Sequence, residues 1–312
     1  MGCIGFKCEL LPCTKATIAH AVAVAKQSTH VVIALGITGL ESEGSGGDRV
    51  SIDLPADQRA LTTAILALGK PTAIVMINGG AVSLAEEQAA GAAILEAFLP
   101  GKHGAAAVAD VILGHVSPAG RLPYTVYAKS FVNETSMTEM DPTKSPGRTY
   151  RYFSGEPLFP FGHGLTFSSF ELLKGTGWPQ RSTIAAASTA SESLKFTVEV
   201  HNTGKADSDV VVTAYWRIVG SGAGTITPIR KQLFDYERVA QVKAGPFSKV
   251  GATVVFEVSA LSFVLVAANG DLVSAPATYE VSIDDGSGGV ALTERVTVTG
   301  ARPVLVEPFP KY

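Results

Sequence analysis

The spacing of apolar residues changes once along this 312-residue chain, near Lys174. Before that point, continuous apolar runs alternate with stretches of helical period, and after it short runs alternate between apolar and polar residues. Continuous apolar strands separated by helices are typical of a parallel sheet covered on both faces, whereas alternating runs are typical of antiparallel sheets. The sequence therefore predicts two domains of different class, an α/β domain followed by an all-β domain.

The first half predicts a mostly parallel sheet sandwiched by helices. Three strand-like runs alternate with three stretches that favour a helix, and prolines or glycines separate several of them. In the second of these helices, Glu86 and Glu87 are expected on the outside. The predicted strands are Val31–Leu35, Thr72–Ile77 and Ala93–Phe98, and the predicted helices cover 53–68, 81–90 and 104–113.

The second half predicts an antiparallel β-sandwich. Phe196, Val198 and Val200 point to one side of a strand while the residues between them are polar, and several further short runs repeat this pattern. The stretch 174–193 is rich in Gly, Ser, Thr and Ala and is predicted to be a linker. The predicted boundaries are 1–173 for the α/β domain, 174–193 for the linker, 194–302 for the β-sandwich and 303–312 for a C-terminal tail.

Composition excludes several classes of protein. The formal charge of -3 argues against a nucleic-acid surface, which would be basic. The apolar runs are interrupted before about 18 residues, so no transmembrane helix is predicted. Cys3, Cys8 and Cys13 lie close together without neighbouring ligands, so neither a disulfide framework nor a metal site is predicted. No Gly-x-Gly-x-x-Gly pattern follows a strand, and no cofactor is expected.

Two kinds of sequence pattern bear on the compartment of the protein, a secretory signal and a glycosylation site. No basic segment followed by an apolar stretch is visible near Met1, so the sequence shows no secretory signal. Asn133-Glu134-Thr135 fits the pattern for N-glycosylation, which matters only if the chain is secreted.

A loop with two carboxylates follows the first predicted strand. It reads Glu41-Ser42-Glu43-Gly44-Ser45-Gly46-Gly47-Asp48-Arg49. Loops at the carboxyl ends of parallel strands are where open α/β sheets place their sites, and paired carboxylates suit acid/base chemistry on a sugar. A solvated surface loop without a role is the alternative. Asp48 and Arg49 are expected to pair and hold the loop, and Arg49 is also a candidate for a sugar contact.

Six further motifs in a fixed order give the chain a resemblance to a known family. It resembles the C-terminal portion of glycoside hydrolase family three, the β-glucosidases and β-xylosidases, over nearly its whole length. The run Met137–Pro142 and the segment after it look nearer to the β-xylosidase branch. The motifs are Leu54-Pro55-Ala56-Asp57-Gln58, Pro100–Gly104, Gly120-Arg121-Leu122-Pro123, Gly147–Arg151, Pro160–Leu165 and Lys231–Val239.

This resemblance implies both a fold and a mechanism. The fold is an α/β sandwich of parallel strands and helices, followed by a fibronectin type III-like sandwich. Members are retaining enzymes that act on β-linked glycosides with two carboxylic residues roughly 5 Å apart. An Asp on an amino-terminal (β/α) barrel attacks the sugar, and a Glu on the sandwich loop is the general acid/base. That Glu corresponds to Glu43, with Glu41 as the close alternative.

Two departures from the family pattern limit what the resemblance implies. Ser45-Gly46-Gly47 stands where the family has one residue, which would displace the acid. No barrel precedes Met1, so the nucleophile has no counterpart and the chain looks truncated. We therefore expect either the acid/base part of a β-glycosidase, inactive without a barrel and inclined to self-associate, or a non-catalytic carbohydrate-associated or interaction remnant.

Several conspicuous side chains outside the acidic loop are expected to be structural. His163 lies between glycines and is interpreted as a structural hydrogen-bonding residue rather than a catalytic one. Tyr150, Tyr152 and Phe153 are interpreted as core or interface aromatics on a strand, rather than as platforms for a sugar.

Overall fold

The computed structural model describes residues 14–37, 49–190, 192–219, 229–245, 251–289 and 291–310, and strands outweigh helices in them. The chain divides into two compact units that interleave along the sequence. Of the described residues, the first unit holds 14–37, 49–115, 126–137 and 156–159, and the second holds the remainder. The predicted boundary at residue 173 differs from this division, because residues 116–125, 138–155 and 160–173 group with the second unit.

The first unit is built on a parallel sheet of three strands. Its strand order is β1-β2-β3, both pairs are parallel, and Ile33 lies opposite Ile74. The three strands confirm the spans predicted from the apolar runs, although the third is shorter than expected. The elements are β1 Val31–Gly36, β2 Thr72–Ile77, β3 Ala93–Glu96, α1 Lys15–Lys26, α2 Ala56–Leu66, α3 Ala85–Ala89, α4 Gly104–Ile112 and α5 Phe131–Glu134.

Helices α1 and α2 cover one face of this sheet. Thr14 caps α1 by accepting from the Thr17 amide, and Pro55 precedes α2, where the missing N–H of proline costs no helical hydrogen bond. Leu61 and Ile65 of α2 are buried in the same hydrophobic cluster as the inward residues of the strands. Burial of this apolar face supplies most of the stability that a short helix needs.

The prediction that helices sandwich the sheet does not hold at β1. Ile33 and Leu35 are buried, but Val32 on the opposite face is 51% exposed. Leu113, at the end of the alanine-rich helix α4, is also exposed. A continuous apolar run does not reveal this difference, because its composition is the same whether one face or both faces are covered.

The second unit contains three sheets. Their strand orders are β5-β13-β12-β7-β8, β4-β6-β9 and β10-β11-β14, and all pairs are antiparallel except β5 with β13. Among the described residues, a short α-helix, α6 Thr149–Tyr152, and a 3₁₀ helix, Ala260–Phe263, also belong to this unit. The strands are β4 Phe170–Lys174, β5 Thr183–Ala185, β6 Ser193–Asn202, β7 Ser208–Ile218, β8 Gln232–Val242, β9 Ala252–Ser259, β10 Val264–Val266, β11 Leu272–Ser274, β12 Ala277–Asp284, β13 Leu292–Thr299 and β14 Val304–Glu307.

Alternate residues of these strands form one hydrophobic core between the sheets. Phe196 of β6 lies opposite Phe256 of β9, and Trp216 of β7 lies opposite Val281 of β12. The Trp216 indole donates to the Ser262 carbonyl at 2.6 Å, so its polar atom is satisfied where its ring is buried. The period-two burial predicted for Phe196, Val198 and Val200 is confirmed, since all three are fully buried.

The stretch predicted as a linker is anchored in the second unit. Trp178 is buried, its indole donates to Glu294 Oε2 at 2.9 Å, and the Lys174 ammonium lies over its ring. Burial raises the pKa of Glu294, but the hydrogen bonds from Trp178 and Lys174 outweigh it and leave the pKa lowered. Strand β5 also falls within the predicted linker, and β14 falls within the predicted tail. Both segments are mostly polar, so their composition predicts loops. A few buried apolar side chains, such as Trp178, nevertheless anchor them.

Candidate active site

The candidate site lies at the carboxyl edge of the parallel sheet, where α/β proteins place their ligands. Gly36 ends β1, and Gln58 of α2 binds its backbone twice. The Gly36 amide donates to Gln58 Oε1 at 3.3 Å, and Gln58 Nε2 donates to the Gly36 carbonyl at 2.6 Å. A Cβ on Gly36 would lie 2.6 Å from the Ile77 carbonyl oxygen, so only glycine fits between the strands. The glutamine of the Leu-Pro-x-x-Gln motif therefore holds the end of β1, five residues before the acidic loop begins at Glu41.

The two candidate acids, Glu41 and Glu43, lie outside the described residues, as does Asp48, so its predicted pairing with Arg49 stays a prediction. Arg49, the last residue of the loop, is half-buried. Its Nη2 donates to the Ala81 carbonyl at 3.2 Å, and its buried Nη1 has no hydrogen-bond partner in the part of the chain that the structure describes. A cleft of about 470 Å³ opens beside it, lined by Arg49, Val50, Ser51, Asp53, Leu54, Pro55 and Ala56.

Ile52 and Asp53, which follow the acidic loop, form backbone contacts with Ser83 in the segment after β2. Asp53 and Ser83 form an isolated parallel bridge, and the Ser83 amide donates to the Ile52 carbonyl at 2.7 Å. Arg59 of α2 lies 3.6 Å from Asp53 and donates to the Ser83 carbonyl at 3.3 Å. Gly36, five residues before Glu41, and Arg49, the last residue of the acidic loop, are thus both held at the carboxyl edge of the sheet.

A buried charge pair joins α2 to α3 behind this segment. Glu87 is 1% exposed, in contrast to the prediction that it lies outside, and it accepts from Arg59 at 2.7 Å and from the Thr62 hydroxyl at 2.6 Å. Such burial is tolerated only because both carboxylate oxygens are paired. Sequence reasoning missed Glu87 because its partners lie 25 and 28 residues away along the chain.

Glu87→Gln is expected to lower the free energy of unfolding of the first unit by about 2 kcal/mol, because it removes the buried charge that pairs with Arg59 and accepts from the Thr62 hydroxyl. Glu86 is the matched control: it also pairs with Arg59 but is 55% exposed, so Glu86→Gln should cost less than about 0.5 kcal/mol. Hydrogen exchange of the α2 and β2 amides, followed by mass spectrometry, measures both. Equal effects of the two substitutions would contradict a special role for the buried carboxylate.

Two further polar side chains lie at the same edge, Asn78 directly after β2 and Glu96 as the last residue of β3. Asn78 is fully buried and donates through Nδ2 to the Gly80 carbonyl at 2.9 Å and to Glu96 Oε2 at 3.3 Å. Glu96 Oε1 in turn accepts from the Phe98 amide at 3.1 Å, and Phe98 has a φ of +52°. A non-glycine residue in the left-handed region is uncommon, and such strain concentrates at functional sites. Sequence reasoning missed these residues, although each follows an apolar run directly.

In the second unit, the motifs Gly120–Pro123 and Pro160–Leu165 form backbone hydrogen bonds with each other. The Leu122 amide donates to the His163 carbonyl at 2.9 Å, and the Gly162 amide donates to the Leu122 carbonyl at 2.8 Å. Arg121 Nε donates to the Asp285 carbonyl at 2.7 Å. Burial, with a smaller contribution from Arg121, lowers the pKa of His163, which therefore favours its neutral form. These contacts support the structural interpretation of His163.

An aromatic cluster packs beside these motifs. Tyr150 stacks on Phe161 with ring centroids 4.1 Å apart, and both rings meet Tyr215 edge to face. The Lys231 ammonium lies 3.5 Å from the centre of the Tyr215 ring. Burial raises the pKa of Tyr215 to about 12, so its phenol stays protonated at neutral pH. Tyr150 is thus a packing residue, as predicted, but it lies on helix α6 and not on a strand.

Neither a metal centre nor a membrane span is visible in the described ranges. No group of three or more His, Cys, Asp or Glu side chains is arranged there to hold a metal ion. No helix in the same ranges combines the length and the apolar character needed to cross a membrane.

Comparison with protein families and curated sequences gives a consistent match. The model of the glycosyl hydrolase family 3 C-terminal domain matches residues 9–167. A probable exo-1,4-β-xylosidase, bxlB of Aspergillus fumigatus, is 34% identical over 93% of this chain and 38% of its own length. Probable β-D-xylosidase 7 of Arabidopsis thaliana is 37% identical over 66% of this chain and 28% of its own length. The chain therefore spans well under half of the relatives that it matches.

Solved structures share the fold. An exo-β-xylosidase XlnD, in complex with a xylobiose aziridine activity-based probe, superposes with a TM-score of 0.82 at 24% identity, over 96% of this chain and 39% of its own. A β-glucosidase of Listeria innocua in complex with glucose has a TM-score of 0.74 at 25% identity, over 92% and 39%. A β-glucosidase of Bifidobacterium adolescentis has a TM-score of 0.74 at 28% identity, over 91% and 41%.

Proposed function

The chain belongs to the glycosyl hydrolase family 3 C-terminal domain family, and we propose that it is the part of a retaining β-glycosidase that supplies the general acid/base but not the nucleophile. The observation that carries this proposal is the attachment of the acidic loop. Gly36 before the loop is held by Gln58, and Arg49 after it is held by the Ala81 carbonyl, both at the carboxyl edge of the sheet. Holding the chain at Gly36 and at Arg49 limits how far a catalytic carboxylate between them can move.

Within this proposal the two units have distinct fold assignments. The parallel three-stranded sheet and its helices are the family's α/β sandwich domain, and the β-rich part from about residue 194 is a fibronectin type III-like domain. The alternating burial of β6 and the two sheets that share its core support the second assignment.

Glu43 is the proposed general acid/base, and Glu41 is the alternative. The acid protonates the leaving oxygen while a nucleophilic carboxylate attacks the anomeric carbon, and its conjugate base then activates the water that releases the sugar. A general acid must be protonated at working pH, which burial against substrate and a neighbouring carboxylate favours. Arg49, whose buried Nη1 has no hydrogen-bond partner among the described residues, is the proposed sugar contact.

The proposed substrate is a β-linked oligosaccharide or glycoside, with β-xylosides ahead of β-glucosides because the curated relatives described above are named as probable xylosidases. The proposed partner is a (β/α) barrel, in cis or in trans, that supplies the nucleophilic Asp. Without it, we propose that exposed apolar side chains such as Val50, Leu99 and Leu113 promote self-association. Sedimentation over a range of concentrations tests this, and a strictly monomeric chain would contradict it.

The chain alone is expected not to hydrolyse aryl β-xylosides or aryl β-glucosides, because one of the two required carboxylates is absent. Release of the aryl group is the measurement, with a barrel-bearing relative as the positive control. Turnover by the purified chain that disappears in Glu43→Gln would contradict the proposal and indicate a nucleophile within this sequence. If a supplied barrel also fails to give turnover, the alternative holds, namely a non-catalytic carbohydrate-associated remnant.

A further inference from the structure

Asn133 presents a free carboxamide on the surface of the first unit. It lies on helix α5, it is exposed, and its side chain has no hydrogen-bond partner in the described part of the chain. Only its backbone is engaged, with the amide donating to the Ser130 carbonyl at 2.9 Å. Asn133-Glu134-Thr135 is the single Asn-x-Ser/Thr pattern in the sequence, since Asn78, Asn202 and Asn269 lack the hydroxyl residue two positions on.

The hydroxyl of Thr135 has no hydrogen-bond partner among the residues that the structure describes. Its Oγ1 is buried, while its backbone amide donates to the Phe131 carbonyl at 3.2 Å. A buried hydroxyl without a partner destabilises a fold, and valine has the same shape without the polar atom. Folding therefore gives no reason for threonine at this position, whereas the glycosylation pattern requires a hydroxyl residue there.

We infer that Asn133 is an acceptor for an N-linked glycan. In the transfer, Nδ2 forms a bond to the anomeric carbon of an oligosaccharide carried on a polyprenyl diphosphate. The bond from that carbon to the diphosphate breaks, the diphosphate leaves with the electron pair, and one amide proton passes to a base of the transferase. Because the Thr135 hydroxyl is buried once the chain has folded, the transfer takes place on the nascent chain.

A glycan at this position also has a physical effect on the surface. Met137 and Val132, close to Asn133 in sequence, are exposed apolar residues of the same unit. A bulky hydrophilic group among them keeps the chain soluble where apolar side chains face water. This inference does not depend on the glycosidase proposal, because it concerns a different part of the first unit and needs no turnover.

The test is secretion of the full 312-residue chain from a eukaryotic host behind a secretory leader. The wild-type chain is expected to lose mass on treatment with peptide N-glycosidase, and tandem mass spectrometry should find aspartate in place of Asn133. Thr135→Ser should keep the glycan. Asn133→Gln and Thr135→Val should both lose it.

Thermal unfolding of the deglycosylated proteins separates loss of the acceptor from loss of the fold. Thr135→Val is expected to unfold at or above the temperature of the wild-type chain, since it removes only an unpartnered hydroxyl. A wild-type chain secreted without a glycan, or a Thr135→Val chain that keeps one, overturns the inference. A Thr135→Val chain that unfolds at a lower temperature overturns the argument that the hydroxyl serves the glycosylation pattern alone.

Discussion

Gly286→Ala is expected to lower the free energy of unfolding of the second unit by about 3 kcal/mol, by combining backbone strain with overpacking. Gly286 has a φ of +72°, which disfavours any residue with a Cβ. An added Cβ would also lie far inside van der Waals contact of the Gly162 carbonyl and 2.9 Å from the Arg121 side chain. Neither group moves freely, because Arg121 Nε binds the Asp285 carbonyl and Gly162 binds Leu122.

Gly288, two residues further on, is the matched control for this substitution. Its φ is +89°, but nothing lies within 4 Å of the position of a Cβ, so Gly288→Ala should cost only about 1–2 kcal/mol. Urea unfolding followed by tryptophan fluorescence measures the second unit specifically, because Trp178 and Trp216 both belong to it. Equal losses for the two variants would mean that Arg121 and Gly162 move aside for the added methyl group, and that their packing against Gly286 contributes little.

The strands could be predicted from the sequence because burial leaves a direct pattern in it. Val31–Leu35 and Thr72–Ile77 are continuous apolar runs, and Phe196, Val198 and Val200 alternate with polar residues. The coverage of each face could not be predicted in this way. Val32 and Ile33 are equally apolar, and only the position of α1 and α2 makes one exposed and the other buried.

The polar contacts of the candidate site were beyond sequence reasoning for a different reason. Gln58 binds Gly36 across 22 residues, and Glu87 meets Thr62 across 25, so the partners become neighbours only when the helices pack on the sheet. A helical pattern places Glu86 and Glu87 together on a polar surface. It does not show that an arginine on another helix allows one of them to be buried.

The recognisable motifs of this chain serve two separate purposes. The Leu-Pro-x-x-Gln segment acts at the carboxyl edge of the parallel sheet, where Gln58 fixes the end of β1 before the acidic loop. The Gly-Arg-Leu-Pro segment and the run Pro160–Leu165 act within the second unit, where Arg121 and Gly162 pack against the turn at Gly286. Sequence motifs can therefore identify a family strongly, even though most of them are needed for folding and only a few take part in the chemistry.

With a barrel supplied, by a second polypeptide or by upstream sequence, Glu43→Gln is expected to slow hydrolysis of glycosides with poor leaving groups by about 10²–10⁴-fold, because glutamine cannot donate the proton that the leaving oxygen needs. The loss should be much smaller for aryl glycosides with good leaving groups, which need little protonation. Azide should restore part of the deglycosylation rate, since it replaces the water that Glu43 would activate. Rates for a series of aryl leaving groups, with and without azide, measure these effects.

Glu41→Gln is the control, because it also replaces a carboxylate by a carboxamide in the same loop, two residues away. It should retain most of the activity and show neither the leaving-group dependence nor the rescue by azide. If the two variants exchange their effects, Glu41 is the acid, and the two additional residues within Ser45-Gly46-Gly47 have shifted the register of the loop. If neither substitution changes the rate, the loop has no part in catalysis. The contacts of Gly36 with Gln58 and of Arg49 with Ala81 would then be a structural remnant of a site that this chain no longer uses.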